Sequence, residues 1–256
     1  MKIFTYIRRK LHPLYYLQQF SLIRVLITKI KIKFYKKSKK FGNFFIYLPR
    51  NITFLLALED CEEETFNFVS ELNLKKDIKN KSFIDVGGNC GLYSLFFKKQ
   101  YNSKIYIFEP DIENLNLLVN TKLKNKFIDF FIFPFALSNK NEIAPFLVDN
   151  LTGALGTLSR GGIGMQARFG LNNQENVICV KLDAFSEVIK DVAWIKIDVE
   201  SHELKALQGM IEIIRLHEPN LIIEIFDDFQ MSKIVELLSP IKYKVKKTDH
   251  NFVFYK

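Results

Sequence analysis

The sequence predicts an α/β fold, a doubly wound and mostly parallel sheet preceded by a basic helical extension. Three observations carry that expectation. From residue 83 onward, short β-rich runs alternate with helical patterns. The first of these runs closes on an aspartate and a glycine-rich turn, "FIDVGGNCG". All of the excess positive charge lies before residue 59.

Residues 1–58 hold 13 Lys or Arg and no acid, whereas 59–256 hold 24 against 28, so the net charge of +9 belongs to the N-terminal segment. This divides the chain into an extension, 1–58, and an α/β domain, 59–256. Arg24, Lys29, Lys31 and Lys33 interrupt "FSLIRVLITKIKIKF", which excludes a spanning helix of about 20 apolar residues. No small-residue cleavage site follows, so a signal peptide is not expected. The segment suits the surface of an anionic membrane, where each cation contributes about 1 kcal/mol. A solvated helical extension is the alternative, and no nucleic-acid-binding module accompanies the charge. Cys61, Cys90 and Cys179 are odd in number and far apart. They match neither a zinc spacing nor a disulfide framework, which points to a reducing cytoplasm.

The predicted strands are "FIDV", "KIYIFE" (104–109), "FFIFPFA" (130–136), "VAWIKID" (192–198) and "NLIIEIF" (220–226). Their near-continuous apolar character fits a parallel sheet covered on both faces. Leu204, Leu207, Ile211 and Ile214 recur at three- and four-residue steps, predicting an amphipathic helix over 200–216 that Pro219 closes. The final "IKYKVKKTDHNFVFYK" reads as two short strands around a Thr-Asp-His turn, an antiparallel pair at the sheet edge. The stretch "NLTGALGTLSRGGIGMQARFG" holds six of the eleven glycines and no periodicity. It reads as a loop, either functional or a disordered insertion.

Three clusters carry chemistry. Asp85 ends the first strand, and Gly87, Gly88 and Gly91 let the following turn pass close to a bound molecule outside the strand ends. A dinucleotide fingerprint needs glycine where Asn89 and Leu92 or Tyr93 stand, so a pyrophosphate cradle is disfavoured, and with it a nicotinamide-dependent oxidoreductase. Glu109 falls 24 residues after Asp85, where a carboxylate at the neighbouring strand tip can accept two ribose hydroxyls. Pro110 stops that strand. In "WIKIDVESHELKALQG", Asp198 closes an apolar strand, and Glu200, His202 and Glu203 gather at a helix start. Carboxylates near a helix N-terminus are also good capping chemistry, but Asp198 should share a cleft with Asp85, which favours an active site.

In order, "FIDVGGNCG", "IFEP", "FALSN", "VKLDAF", "WIKIDVESHE", "LQG" and "EPNLIIEI" resemble the FkbM-type methyltransferases, a branch of the class I S-adenosylmethionine-dependent enzymes. The likeness spans about residues 83–254. It implies a Rossmann-like, seven-stranded sheet with an antiparallel last pair. It also implies S-adenosylmethionine across the tips of the first two strands. Carried over by position, Asp85, Gly87, Asn89 and Gly91 line the methionine side. Gly88 stands in the same turn, where alanine is commoner. Glu109, followed by Pro110, holds the ribose, and Ala136 and Leu137 border the adenine. Asp198 belongs to both the cofactor and the acceptor side. The acceptor implied is a saccharide hydroxyl, with Asp198 or Glu200 as base and Glu203 or His202 assisting. An amine acceptor would not need that base. A catalytically idle scaffold that binds glycans or a partner through the glycine-rich loop and Arg160 or Arg168 is the rival from another class. Ser201 stands where the family usually has glycine. A positive φ there costs serine about 1 to 2 kcal/mol, whereas an N-cap position would suit it.

Overall fold

The computed structural model describes residues 38–48, 62–74, 77–148, 156–158 and 173–256. The rest of the N-terminal extension and most of the glycine-rich stretch, including Arg160 and Arg168, lie outside the described residues.

Strands β1 (Ser38–Phe41) and β2 (Phe44–Tyr47) form an antiparallel hairpin. At these residues the helical expectation for the extension is corrected, because the strand backbone finds partners on a neighbouring helix. The Phe45 N–H donates to Asn125 Oδ1 at 2.8 Å, Asn125 Nδ2 returns a bond to the Phe45 carbonyl at 2.6 Å, and the Tyr47 N–H donates to Thr121 Oγ1 at 3.0 Å. Ile46 and Leu48 are buried in the core beneath.

Helix α1 (Glu63–Asn73) leads to β3 (Ser82–Val86), α2 (Leu92–Tyr101), β4 (Lys104–Phe108), α3 (Ile112–Asn125) and β5 (Phe130–Phe133). The run predicted as one strand over 130–136 is divided. Pro134 has no N–H to give a ladder, and Ala136–Leu137, as β6, joins β7 (Glu142–Val148) and β8 (Asn173–Val180) in a separate three-stranded sheet. Then come β9 (Val192–Ile197), α4 (Glu203–Gln208), α5 (Ile211–His217), β10 (Asn220–Glu224), α6 (Asp228–Leu238), β11 (Lys244–Thr248) and β12 (Asn251–Tyr255). The single helix predicted over 200–216 is thus two. Gly209 sits where a Cβ would lie 2.0 Å from the Ser138 carbonyl oxygen, so the chain presses against the backbone just after β6 and the helix breaks.

The main sheet has the order β11-β12-β10-β9-β3-β4-β5. All its pairings from β10 to β5 are parallel, and β12 runs antiparallel to both β10 and β11. This is the seven-stranded sheet with an antiparallel last pair that the resemblance implied. The alternation of strand side chains feeds two cores. Phe83, Ile105, Trp194, Ile222 and Val253 face one layer, covered by α1, α2, α3 and the hairpin. Ile84, Val86, Ile195, Ile197 and Ile223 face the other, covered by α4, α5 and α6. Trp194 is fully buried, and its indole N–H donates to Asn73 Oδ1 at 3.0 Å. Burying each large apolar side chain of this kind stabilises the fold by roughly 1.5 to 3 kcal/mol.

From the central β3 the chain winds outward to β5, then returns to β9 on the other side. The β3/β9 boundary is therefore the switch point, outside whose carboxyl ends ligands bind in open α/β sheets. No helix among the described residues is long and apolar enough to cross a membrane.

Candidate active site at the strand tips

The turn after β3 lies directly on its neighbours. Gly87 has φ 75°, and a Cβ there would meet the Asp198 carbonyl oxygen at 1.9 Å, while Gly88 packs over the Ile107 side chain. This corrects one expectation, because the space these glycines free on the Cβ side is filled by the protein's own strands and not by a ligand. The Asp198 N–H donates to the Val86 carbonyl at 3.0 Å, so β3 and β9 stay paired to their ends. Asn89 follows with φ 48°, and Gly91, with φ 84°, is the N-cap of α2.

Two carboxyls are buried beside this turn. Asp85 is 3% exposed and accepts from the Ser94 N–H at 3.2 Å and the Ser94 hydroxyl at 2.5 Å. Burial pushes it up to about 7 against the lowering effects of Ser94 and Lys196. Glu109, 4% exposed, accepts from the Asn89 N–H at 2.7 Å on one oxygen and from the Asp111 N–H at 2.9 Å on the other. Burial pushes it to about 7 as well. The Asn114 side chain is a third donor to this carboxyl, and of its four or so lone-pair sites one remains for a hydroxyl donor. Pro110 is partly buried between Glu109 and Asp111, and Asp111 caps α3 by accepting from the Glu113 and Asn114 N–H groups.

On the other side of the switch point, Asp198 is 34% exposed and pairs with the buried Lys196 at 3.6 Å. The next residues bend sharply. Glu200 and Ser201 have φ 51° and 76°, so α4 starts at Glu203 with His202, not Ser201, as its N-cap. The Glu200 carbonyl accepts from Thr157 Oγ1 at 2.6 Å, which ties the described part of the glycine-rich stretch to this loop. Glu203 is buried, accepts from the Ser201 N–H at 3.0 Å and is raised by burial. His202 is turned inward, its Nε2 3.0 Å from Ser138 Oγ, and burial lowers it to about 4. It is therefore neutral near pH 7 and anchors the loop. Ala136 and Leu137 lie buried in β6, just before Ser138.

The structure thus gathers Asp85, the glycine turn, Glu109 and Asp198 at one switch point, while His202 and Glu203 sit inward as supports. Sequence reasoning missed Ser94, Lys196 and Glu224. Lys196 had a signal, a lone cation inside the apolar run "VAWIKID", and so did Glu224, an acid closing an apolar strand as Asp85 and Asp198 do. A cavity of about 360 Å³ bordered by His217 and Asn220 lies at the opposite edge, where β9 and β10 begin. It is at the wrong end of the strands for this chemistry.

The set fits S-adenosylmethionine. Three carboxyls, at Asp85, Glu109 and Asp198, suit a sulfonium and a ribose, and the turn from Asp85 to Tyr93 carries no Lys or Arg to meet a diphosphate. Among the described residues, no group of three or more His, Cys, Asp or Glu is placed to hold a metal ion.

No curated protein matches the chain. Among solved structures, a methyltransferase FkbM from Methylobacillus flagellatus KT is similar at 16% identity and a TM-score of 0.49, over 91% of this chain and 60% of that one. The chain therefore spans less than two thirds of that protein's length. Aeropyrum pernix fibrillarin, solved with natively bound S-adenosyl-L-methionine, is similar at 9% identity and a TM-score of 0.41, over 75% of each chain. M. jannaschii TYW2 in complex with AdoMet is similar at 9% identity and a TM-score of 0.41, over 86% of this chain and 84% of that one. The methyltransferase FkbM domain itself matches residues 85–253, from the Asp85 tip to the last strand, and the chain belongs to that family.

Proposed function

We propose that this protein is an S-adenosylmethionine-dependent methyltransferase that O-methylates a sugar hydroxyl of a polysaccharide, glycolipid or glycosylated metabolite. The observation that carries the reading is the meeting of the braced Glu109 carboxyl and the half-open Asp198 carboxylate at one switch point within an FkbM domain. S-adenosylmethionine, when bound, supplies a methyl group on an electrophilic sulfur. The residues bind, align and move a proton. Asp85, Gly87, Gly88, Asn89 and Gly91 border the methionine side, Glu109 accepts the ribose hydroxyls, and Ala136 and Leu137 border the adenine. A sugar hydroxyl is a poor nucleophile near neutral pH, so a base within about 3 Å is needed. Asp198 fills that role, with Glu200 as the nearest substitute. His202 and Glu203 hold the loop that carries both. With an amine acceptor the same alignment suffices without the base.

The basic segment 1–58 suits a cytoplasmic enzyme that works against an anionic membrane face, where a lipid-borne glycan would be presented. Two measurements test the reading. Calorimetric titration with S-adenosylhomocysteine is expected to show binding, and a flat titration favours an idle scaffold. Deleting the gene should leave one cell glycan lighter by a methylene per modified site, and unchanged glycan masses would remove the saccharide acceptor.

A further inference from the structure

Four strands bring polar side chains to one face of the sheet at its functional edge. Along each strand every second residue shares a face. On the face of Phe83, Trp194, Ile222 and Val253, the positions nearest the edge are Asp85, Lys196, Glu224 and Asn251. Asp85 stands opposite Lys196, and Glu224 opposite Asn251. Lys196 is 2% exposed, and its Nζ donates to Asn251 Oδ1 at 2.7 Å and lies 3.6 Å from Asp198 Oδ2. Asn251 Nδ2 donates to Glu62 Oε2 at 2.9 Å and to the Tyr93 hydroxyl at 3.1 Å, and Tyr93 donates to Glu62. Glu224 completes the group: it follows Ile223, which pairs with Ile197, so it stands beside Asp198 where β10 and β9 end.

Two carboxyl groups can hydrogen-bond to each other only if one keeps a proton. Around this pair stand Lys196 on β9, Asp85 on β3, Glu62 before α1, Tyr93 on α2, Glu200 in the following loop and Glu203 on α4. Burial, then the Asp198 charge, raise Glu224 far above the ordinary carboxylate range. Lys196, the buried cation among these acids, pairs with Asp198 at 3.6 Å, which leaves Glu224 as the carboxyl to keep the proton.

We propose that Glu224 is a positioning residue of the acceptor site, whose protonated carboxyl donates to Asp198 across the tips of β9 and β10 and, with Lys196, fixes the Asp198 carboxylate toward the cleft. The role rests on the methyl-transfer reading for the step it serves. As the acceptor oxygen forms its bond to the methyl carbon, the methyl–sulfur bond breaks and its electron pair stays on sulfur. The acceptor's proton passes to Asp198, and Glu224 keeps its own.

Difference infrared spectroscopy of the full chain tests this without an acceptor. At a pH above the value of about 7 to which Asp85 and Glu109 are pushed, the native protein is expected to show a carboxylic-acid C=O band. That band is expected to vanish in Glu224→Gln and equally in Asp198→Asn. The second variant carries the test if the first does not fold. A native spectrum without the band, or a band that survives both substitutions, overturns the proposal. Titration of the native chain with S-adenosylhomocysteine separates the two readings. Binding without the band overturns the role of Glu224 alone. The band without binding supports the shared proton and overturns the methyltransferase reading.

Discussion

At the tips of β3 and β4 each buried carboxyl is held by donors close by in the chain, Asp85 by Ser94 in the first turn of α2 and Glu109 by the Asn89 and Asp111 backbone. At the tips of β9 and β10 the carboxyls are held by distant side chains. Asp198 leans on Lys196 and stands beside Glu224, and Lys196 leans on Asn251, 55 residues away in sequence. Gly87 and Gly91, with Asn89 between them, supply the left-handed positions on the first side, whereas Glu200 and Ser201 adopt positive φ with no glycine beside them on the second. The first half is prearranged by local structure and suits a cofactor that never varies. The second stores strain and charge, which is the arrangement expected where an acceptor is oriented and a proton moves.

Asp198 is the position where a single substitution should separate the two sides most. Asp198→Asn is expected to cut methyl transfer by about 10² to 10⁴ while S-adenosylhomocysteine still binds, and retained turnover would remove this side from the chemistry. Gly87→Ala comes next. The new methyl would strike the Asp198 backbone at a positive φ, so a loss of more than about 3 kcal/mol in denaturant unfolding is expected. Gly88→Ala strikes a side chain and no backbone, chiefly the Ile107 methyl, and should cost less, about 1 to 3 kcal/mol. Similar losses at both positions would mean that the turn does not rest on β9.

The local bracing of Glu109 can be sharpened through pH. Its folded value, about 7, is above its ordinary 4.5. The folded chain thus keeps a proton that the unfolded chain has released between these values. The resulting contribution to stability is fully present below about 4.5 and is lost as pH rises to about 7. Glu109→Gln lacks this loss. The variant should gain on the native protein by up to about 3 kcal/mol across that window, measured by denaturant melts at stepped pH. Equal slopes would place the carboxyl in water. The smallest effect is expected at Ser201→Gly, which relieves a left-handed serine at φ 76° and should stabilise the fold by about 1 kcal/mol. No change in the unfolding midpoint would show that the loop is not strained.

Strand and helix alternation, the Asp85 turn, the Glu109 tip and the C-terminal antiparallel pair were legible in the sequence because each depends on neighbours in the chain. Apolar runs closed by an acid mark parallel strands buried on both faces, and a Thr-Asp-His turn between short β runs marks a hairpin. The break at Gly209 was not legible, since it follows from contact with Ser138, 71 residues earlier. The same holds for β1 and β2, whose strand form relies on Asn125 and Thr121.

The amino-acid order alone thus determined the sheet class, the acids that end the first strands and the family likeness, because period, turn chemistry and strand-end residues are properties of adjacent positions. Only the tertiary structure decided that Gly87 makes room for the Asp198 carbonyl, that His202 points inward, and that Lys196 and Glu224 flank Asp198. Those outcomes depend on which strand tips lie side by side and on how far burial removes their charges from water, and neither is written in any local stretch of the chain.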